Sequence, residues 1–92
     1  MDLNKLETMS SRLMRDGQFR DALKILFCMA ERDNSLDGGS FGHAIGECYE
    51  ALGDLHAARY WYARAYQENP AIERYRYDFE KMQRVTIDDL LR

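Results

Sequence analysis

Apolar side chains recur at three- and four-residue spacing in two stretches of the first half of the chain. The first stretch contains Leu6, Met9, Leu13 and Met14, and the second contains Leu23, Leu26, Phe27 and Ala30. This spacing places each set on one face of an α-helix. Between them lies Asp16-Gly17-Gln18, where a glycine can adopt the left-handed conformation that ends a helix. The pattern predicts two antiparallel helices joined by a short turn.

The second half of the chain repeats this pattern with an offset of 36 residues, the distance from Gly17 to Gly53. At this offset the alignment pairs Ala22 with Ala58, Leu13 with Tyr49, Phe19 with Leu55, Leu26 with Tyr62, and Ser10 with Gly46. A small residue at position 10 or 46 allows the partner helix to approach closely, and Ala22 or Ala58 is predicted to face it. We therefore expect a second helical hairpin built like the first.

A fifth helix is predicted after Pro70, which cannot continue the preceding helix. Ile72, Tyr75, Phe79 and Met82 share one face over residues 71–84. We expect this helix to cap the uncovered apolar side of the second hairpin. Its outer face is predicted to contain Glu73, Arg74, Arg76, Asp78, Glu80 and Lys81. The tail, residues 85–92, is expected either to fold back over this helix or to dock on a partner or a second copy.

The second unit resembles a tetratricopeptide repeat. The matching residues are Ile45-Gly46, Tyr49, Gly53-Asp54, Ala58, Tyr62, Ala65 and Pro70. The first unit is a looser match through Leu6, Met9-Ser10, Leu13, Gly17, Ala22 and Leu26, with Met29 and Asn34 where the family prefers alanine and proline. The offset exceeds the roughly 34-residue period of the family, and the extra residues are expected within 35–39.

This resemblance implies an all-α fold of antiparallel helical hairpins in one domain, residues 1–92. Repeat one would span about 3–36, repeat two about 39–70, and the capping helix with its tail 71–92. Because two repeats and a cap make a small core, a homodimer or a permanent partner is expected.

The resemblance also implies a concave groove, lined by the first helix of each hairpin, that grips a peptide or a helix of another protein. The groove residues would be Glu7, Ser11, Met14 and Arg15 in the first unit, His43, Glu47 and Glu50 in the second, and Tyr77 and Lys81 on the cap. Glu7 and Ser11 replace the lysine and asparagine with which some family members bind a terminal carboxylate, so that ligand is not expected. The alternative is that these residues are only a solvated helix face.

Trp61 is a second candidate contact. It stands beside Tyr60 and Tyr62, and three consecutive residues of a helix cannot all point inward. Trp61 therefore either packs under the capping helix or is exposed on the convex side, where a tryptophan beside tyrosines would be a natural binding hot spot.

Composition excludes several other classes of function. The net charge of −3 is spread evenly along the chain, so a nucleic-acid interface is not expected. No apolar run approaches the roughly 20 residues of a membrane span, and a cytoplasmic location is expected. His43, Glu47 and Glu50 have helical metal-ligand spacing but lack a further convergent ligand, so neither a metal nor another cofactor is predicted. Cys28 and Cys48 lack a histidine placed by a recognisable motif, which argues against an enzyme.

We therefore expect a protein-binding module, an adaptor or a chaperone-like protein. The alternative is a structural subunit that associates with itself and binds no peptide.

Overall fold

The computed structural model describes the backbone of residues 3–32 and 39–91, and the side chains of residues 4–31 and 39–85. This part of the chain forms five helices and no strand. The helices are α1 (Leu3–Arg15), α2 (Phe19–Arg32), α3 (Ser40–Ala51), α4 (Leu55–Glu68) and α5 (Glu73–Leu91). Helix α1 packs on α2, α3 on α4, and α2 on α3, while α5 packs on α4. The predicted all-α fold of helical hairpins is confirmed.

A turn of the same geometry connects the two helices of each hairpin. Gly17 and Gly53 have φ angles of 79° and 85°, in the left-handed region that a glycine adopts without strain. The next residue donates its backbone N–H to the carbonyl five positions earlier, from Gln18 to Leu13 at 2.8 Å and from Asp54 to Tyr49 at 2.9 Å. This bond, together with those from the glycines, satisfies carbonyls at the helix ends.

The second hairpin is packed most tightly where α3 crosses α4. A Cβ atom added to Gly46 would lie 2.7 Å from Cδ1 of Tyr62, a distance that real Cβ atoms do not adopt. Ala58 and Tyr62 are fully buried on the other side of this crossing. Ser10 and Ala22 are buried at the corresponding positions of the first hairpin. Small residues therefore occupy the helix crossings, as predicted.

Three side chains lie elsewhere than the sequence pattern predicts. Met9 is 44% exposed, because it lies at the edge of the stripe that Leu6 and Leu13 define on α1. Ile72 is also exposed and precedes the first turn of α5. Asp78, predicted on the outer face, is buried with 1% of its side chain exposed, and the partners described below explain why.

The tail does not fold back, because α5 runs without a break through Leu91. No glycine or proline follows Pro70 in the sequence, so nothing in the backbone ends the helix there. The predicted extra residues 35–38 and Asn34 lie outside the described residues. None of the described helices has both the length and the apolarity needed to cross a bilayer.

Candidate functional site

An open groove of about 800 Å³ lies on the face that α1 and α3 share. Its lining consists of Ser11, Met14 and Arg15 from α1, Ala44, Glu47, Glu50 and Ala51 from α3, and single residues from the other helices, Phe19, Tyr62 and Arg74. Five predicted partner-binding residues are thus brought together, namely Ser11, Met14, Arg15, Glu47 and Glu50. The lining of the groove combines apolar side chains with charged side chains of both signs.

Glu7 lies beside this groove rather than in it. It lines a smaller pocket of about 70 Å³, which shares Ser11, Met14 and Ala44 with the groove. The line of predicted residues on α1 therefore follows one continuous concave face.

On one side of the groove, seven polar side chains form a cluster that joins α3, α4 and α5. We call it the ionic cluster; it consists of His43, Glu47, Glu50, Tyr62, Arg74, Asp78 and Lys81. Of the predicted partner-binding residues, His43 and Lys81 belong to this cluster and do not line the groove. Their hydrogen-bonding capacity is directed at other residues of the same chain.

His43 lies at the centre of the ionic cluster, between two carboxylates. Its Nε2 is 2.6 Å from Oδ2 of Asp78, and its Nδ1 is 3.3 Å from Oε1 of Glu47. The ring also stacks on Tyr75, with centroids 4.8 Å apart. Burial lowers the pKa of His43, but the hydrogen bonds and charges of the two carboxylates outweigh burial and raise it above its ordinary value. This arrangement favours the imidazolium, which can donate from both nitrogens.

Asp78 is the acceptor that fixes α5 to the rest of the fold. Besides His43, it accepts a hydrogen bond from Nε of Arg74 at 3.0 Å, and Nζ of Lys81 lies 3.5 Å from its Oδ1. Burial raises the pKa of Asp78, but these partners, led by the hydrogen bond from His43, hold it below its ordinary value. A buried carboxylate is therefore kept charged by cations on two helices.

Glu50 connects the same cluster to the core of the second hairpin. The hydroxyl of Tyr62 donates to Oε1 of Glu50 at 2.7 Å, and Nζ of Lys81 is 3.0 Å from Oε2. Tyr62 is buried, and burial followed by the bond to Glu50 raises its pKa. Glu50 thus stabilises the fold in addition to lining the groove.

The position of Asp78 relative to the apolar residues of α5 already indicates that it is buried. It lies three residues after Tyr75 and four before Met82, which places it on the inner face of α5. The sequence pattern gave no sign of its partner His43, which is 35 positions away.

Trp61 and Tyr77 lie outside the groove. The Trp61 ring meets Phe27 of α2 edge-on, with centroids 5.5 Å apart, and Cζ of Arg64 lies 4.9 Å from its centroid. Trp61 is half-buried at the junction of the two hairpins, so neither its predicted packing under the capping helix nor full exposure describes it. Tyr77 is 55% exposed on α5, with Arg74 and Lys81 near its ring.

The two cysteines are free, and they differ in burial. Cys48 is fully buried, and burial, followed by the charge of Glu47, raises its pKa to about 11. Within the described part of the chain, no three His, Cys, Asp or Glu residues are arranged to hold a metal ion.

We expect iodoacetamide to label native protein at Cys28 alone, because the thiolate is the reactive form and Cys48 is both protonated and inaccessible. Peptide mass spectrometry after a timed pulse of reagent would identify the labelled residue. Denatured protein, labelled at both positions, is the control. Equal labelling of both cysteines in the native state would contradict the packing of α3.

No family model matches this chain, and neither does any curated protein or solved structure with which it was compared. A functional assignment therefore depends on the groove and on the residues around it.

Proposed function

We propose that this chain is a protein-interaction module of the tetratricopeptide type, which holds a segment of a partner protein in the groove between α1 and α3. The observation that carries this proposal is the convergence of five candidate contact residues on one open concavity of about 800 Å³. The resemblance to the family is supported by the two matching glycine turns and by the close helix crossing at Gly46.

The lining of the groove suits a peptide or a helix. Met14, Phe19 and Ala44 supply apolar surface for an anchor side chain, while Ser11 and Arg15 offer polar contacts. Apolar pockets with polar rims are the usual means by which helical grooves hold a segment of another chain. Such a protein acts as an adaptor or a chaperone-like factor in the cytoplasm, without catalysis, a cofactor, nucleic acid or a membrane.

We expect Ser11→Arg to abolish partner capture, because an arginine at this exposed position would fill the groove. The matched control is Thr8→Arg, an exposed hydroxyl residue one turn earlier on the same helix that does not line the groove. Both variants and wild type would be used to recover partners from native extract. The recovered partner would then be titrated into ¹⁵N-labelled protein to map the amides that shift.

Loss of the partner with Ser11→Arg but not with Thr8→Arg, together with amide shifts that centre on α1 and α3, would support a groove that binds another protein. If both variants keep the partner, the groove is not the binding site. The alternative of a self-associating subunit predicts that wild type forms dimers by light scattering and that no other protein is recovered. Glu50→Lys is unsuitable here, because it would also remove the partner of Tyr62 and Lys81.

A further inference from the structure

Helix α5 is held by an apolar contact and by an ionic one. Met82 is buried against Ala58 and Tyr62, with Phe79 and Val85 packed around them. The ionic cluster forms the second contact, in which Asp78 and Lys81 of α5 meet His43 and Glu50 of α3. Ion pairs thus connect α5 directly to α3.

We propose that α5 is a latch operated by one proton on His43: it stays docked while the ring carries both protons and detaches more readily when one is lost, with the two hairpins remaining folded. This inference does not depend on the proposed function, since it concerns only the attachment of α5.

The charge balance of the ionic cluster is the first argument. The groups that face His43 are Glu47 and Glu50 on its own helix, Tyr62 on α4, and Arg74, Tyr75, Asp78 and Lys81 on α5. When His43 is protonated, its charge and those of Arg74 and Lys81 match the three carboxylates. When it is neutral, two cations face three carboxylates, and two of these, Glu47 and Asp78, adjoin the ring.

The burial of Asp78 is the second argument. Its Oδ1 accepts no hydrogen bond from the described residues and has only the ammonium of Lys81 at 3.5 Å, so the bond from His43 to Oδ2 is one of the few that compensate for its desolvation. A neutral imidazole has a single N–H and donates to only one of its two carboxylates. It also makes a weaker bond than the imidazolium does. Because Glu47 is partly exposed and water can replace its contact, the remaining N–H stays on Nε2. The cost is that the buried carboxylate of Asp78 then accepts from a neutral ring in place of a cation.

The direction of the pH effect follows from the two pKa shifts. The pKa of His43 is raised above 6.5, so its stabilisation is complete below that value and is lost as pH rises through the raised pKa. The pKa of Asp78 is lowered below 3.8, so its stabilisation is present above that value and is lost as pH falls through the lowered pKa. Docking of α5 is therefore strongest between these two limits and weakens as the solution becomes alkaline.

Amide hydrogen exchange of the full chain tests the latch. Protection would be compared at about pH 5.5, below the ordinary histidine pKa, and at a pH above the titration midpoint that NMR gives for the ring of His43, after correction for the intrinsic exchange rates. We expect protection of α5 to fall severalfold at the higher pH, while protection of α1 and α2 stays constant. NMR titration of the two histidine rings in the same samples shows which ring follows the change.

His43→Gln is expected to remove the pH dependence of α5 protection. His56→Gln is the matched control, because His56 is the other histidine of the sequence and is exposed; it should leave the pH dependence intact. The proposal is overturned if wild-type α5 protection is the same at both pH values, if all helices lose protection together, or if α5 follows the titration of His56. The wild-type measurement alone decides the matter should His43→Gln fail to fold.

Discussion

Replacing Asp78 with alanine is expected to lower the free energy of unfolding by about 3 kcal/mol, because removal of one member of a buried ion pair leaves the largely buried His43 without its acceptor. His43, with 12% of its side chain exposed, would lose the acceptor of its Nε2 proton. The variant would also lose the charge that Arg74 and Lys81 share on α5. Urea denaturation followed by circular dichroism would measure the change.

Glu80→Ala is the control for Asp78→Ala, because Glu80 is an exposed acid on the same helix. It removes the same charge and should change stability by less than about 0.5 kcal/mol, as is usual for surface substitutions. The stability of Asp78→Asn should lie between those of Asp78→Ala and Glu80→Ala, since the amide oxygen still accepts a hydrogen bond from His43. Equal stability of Asp78→Ala and Glu80→Ala would show that the ionic cluster does not hold α5.

Substituting alanine at Gly46 is expected to destabilise the fold by about 1–3 kcal/mol, the usual cost of overpacking a core. The new Cβ atom would lie 2.7 Å from the ring of Tyr62, which is buried and hydrogen-bonded to Glu50 and so has little room to move. This loss should occur although alanine is the better helix former by about 1 kcal/mol.

Gly42 provides a matched control one turn earlier on α3. A Cβ atom there would have its nearest neighbour, the carbonyl oxygen of Trp61, at 3.7 Å, an ordinary contact distance. Gly42→Ala should therefore keep the gain in helix propensity and be neutral or stabilising. Thermal unfolding of both variants decides between the outcomes. A stable Gly46→Ala would mean that α3 and α4 do not cross at this position.

The hairpins were predictable from the sequence because their determinants are local. A glycine that ends a helix and a small residue at a helix crossing recur in the sequence at a fixed interval, as Gly17 and Gly53 do. Exposure was harder to predict at the edge of a stripe, as Met9 illustrates. The end of α5 was also missed, because the apolar residues of the tail suggested a separate segment while the absence of glycine and proline allowed the helix to continue.

The groove and the ionic cluster differ in how far the sequence reveals them. The groove residues on α1, Ser11, Met14 and Arg15, were expected from the resemblance to the repeat family, and helical spacing is consistent with their sharing one face. The cluster depends on pairs far apart in the chain, above all His43 with Asp78, and no periodic pattern encodes such a pair. The one local sign of the cluster is a charged residue at an inner-face position of α5. Until its partner is known, such a residue is interpreted either as buried and paired or as exposed.

The position of Trp61 has a spectroscopic consequence. It is the only tryptophan of the sequence, and its ring lies against Phe27 of α2, at the junction of the hairpins. Its fluorescence therefore reports the separation of one hairpin from the other. Emission excited selectively at the indole should stay constant while α5 detaches and change only when the hairpins part, so that a single intrinsic fluorophore separates the two events without any added label.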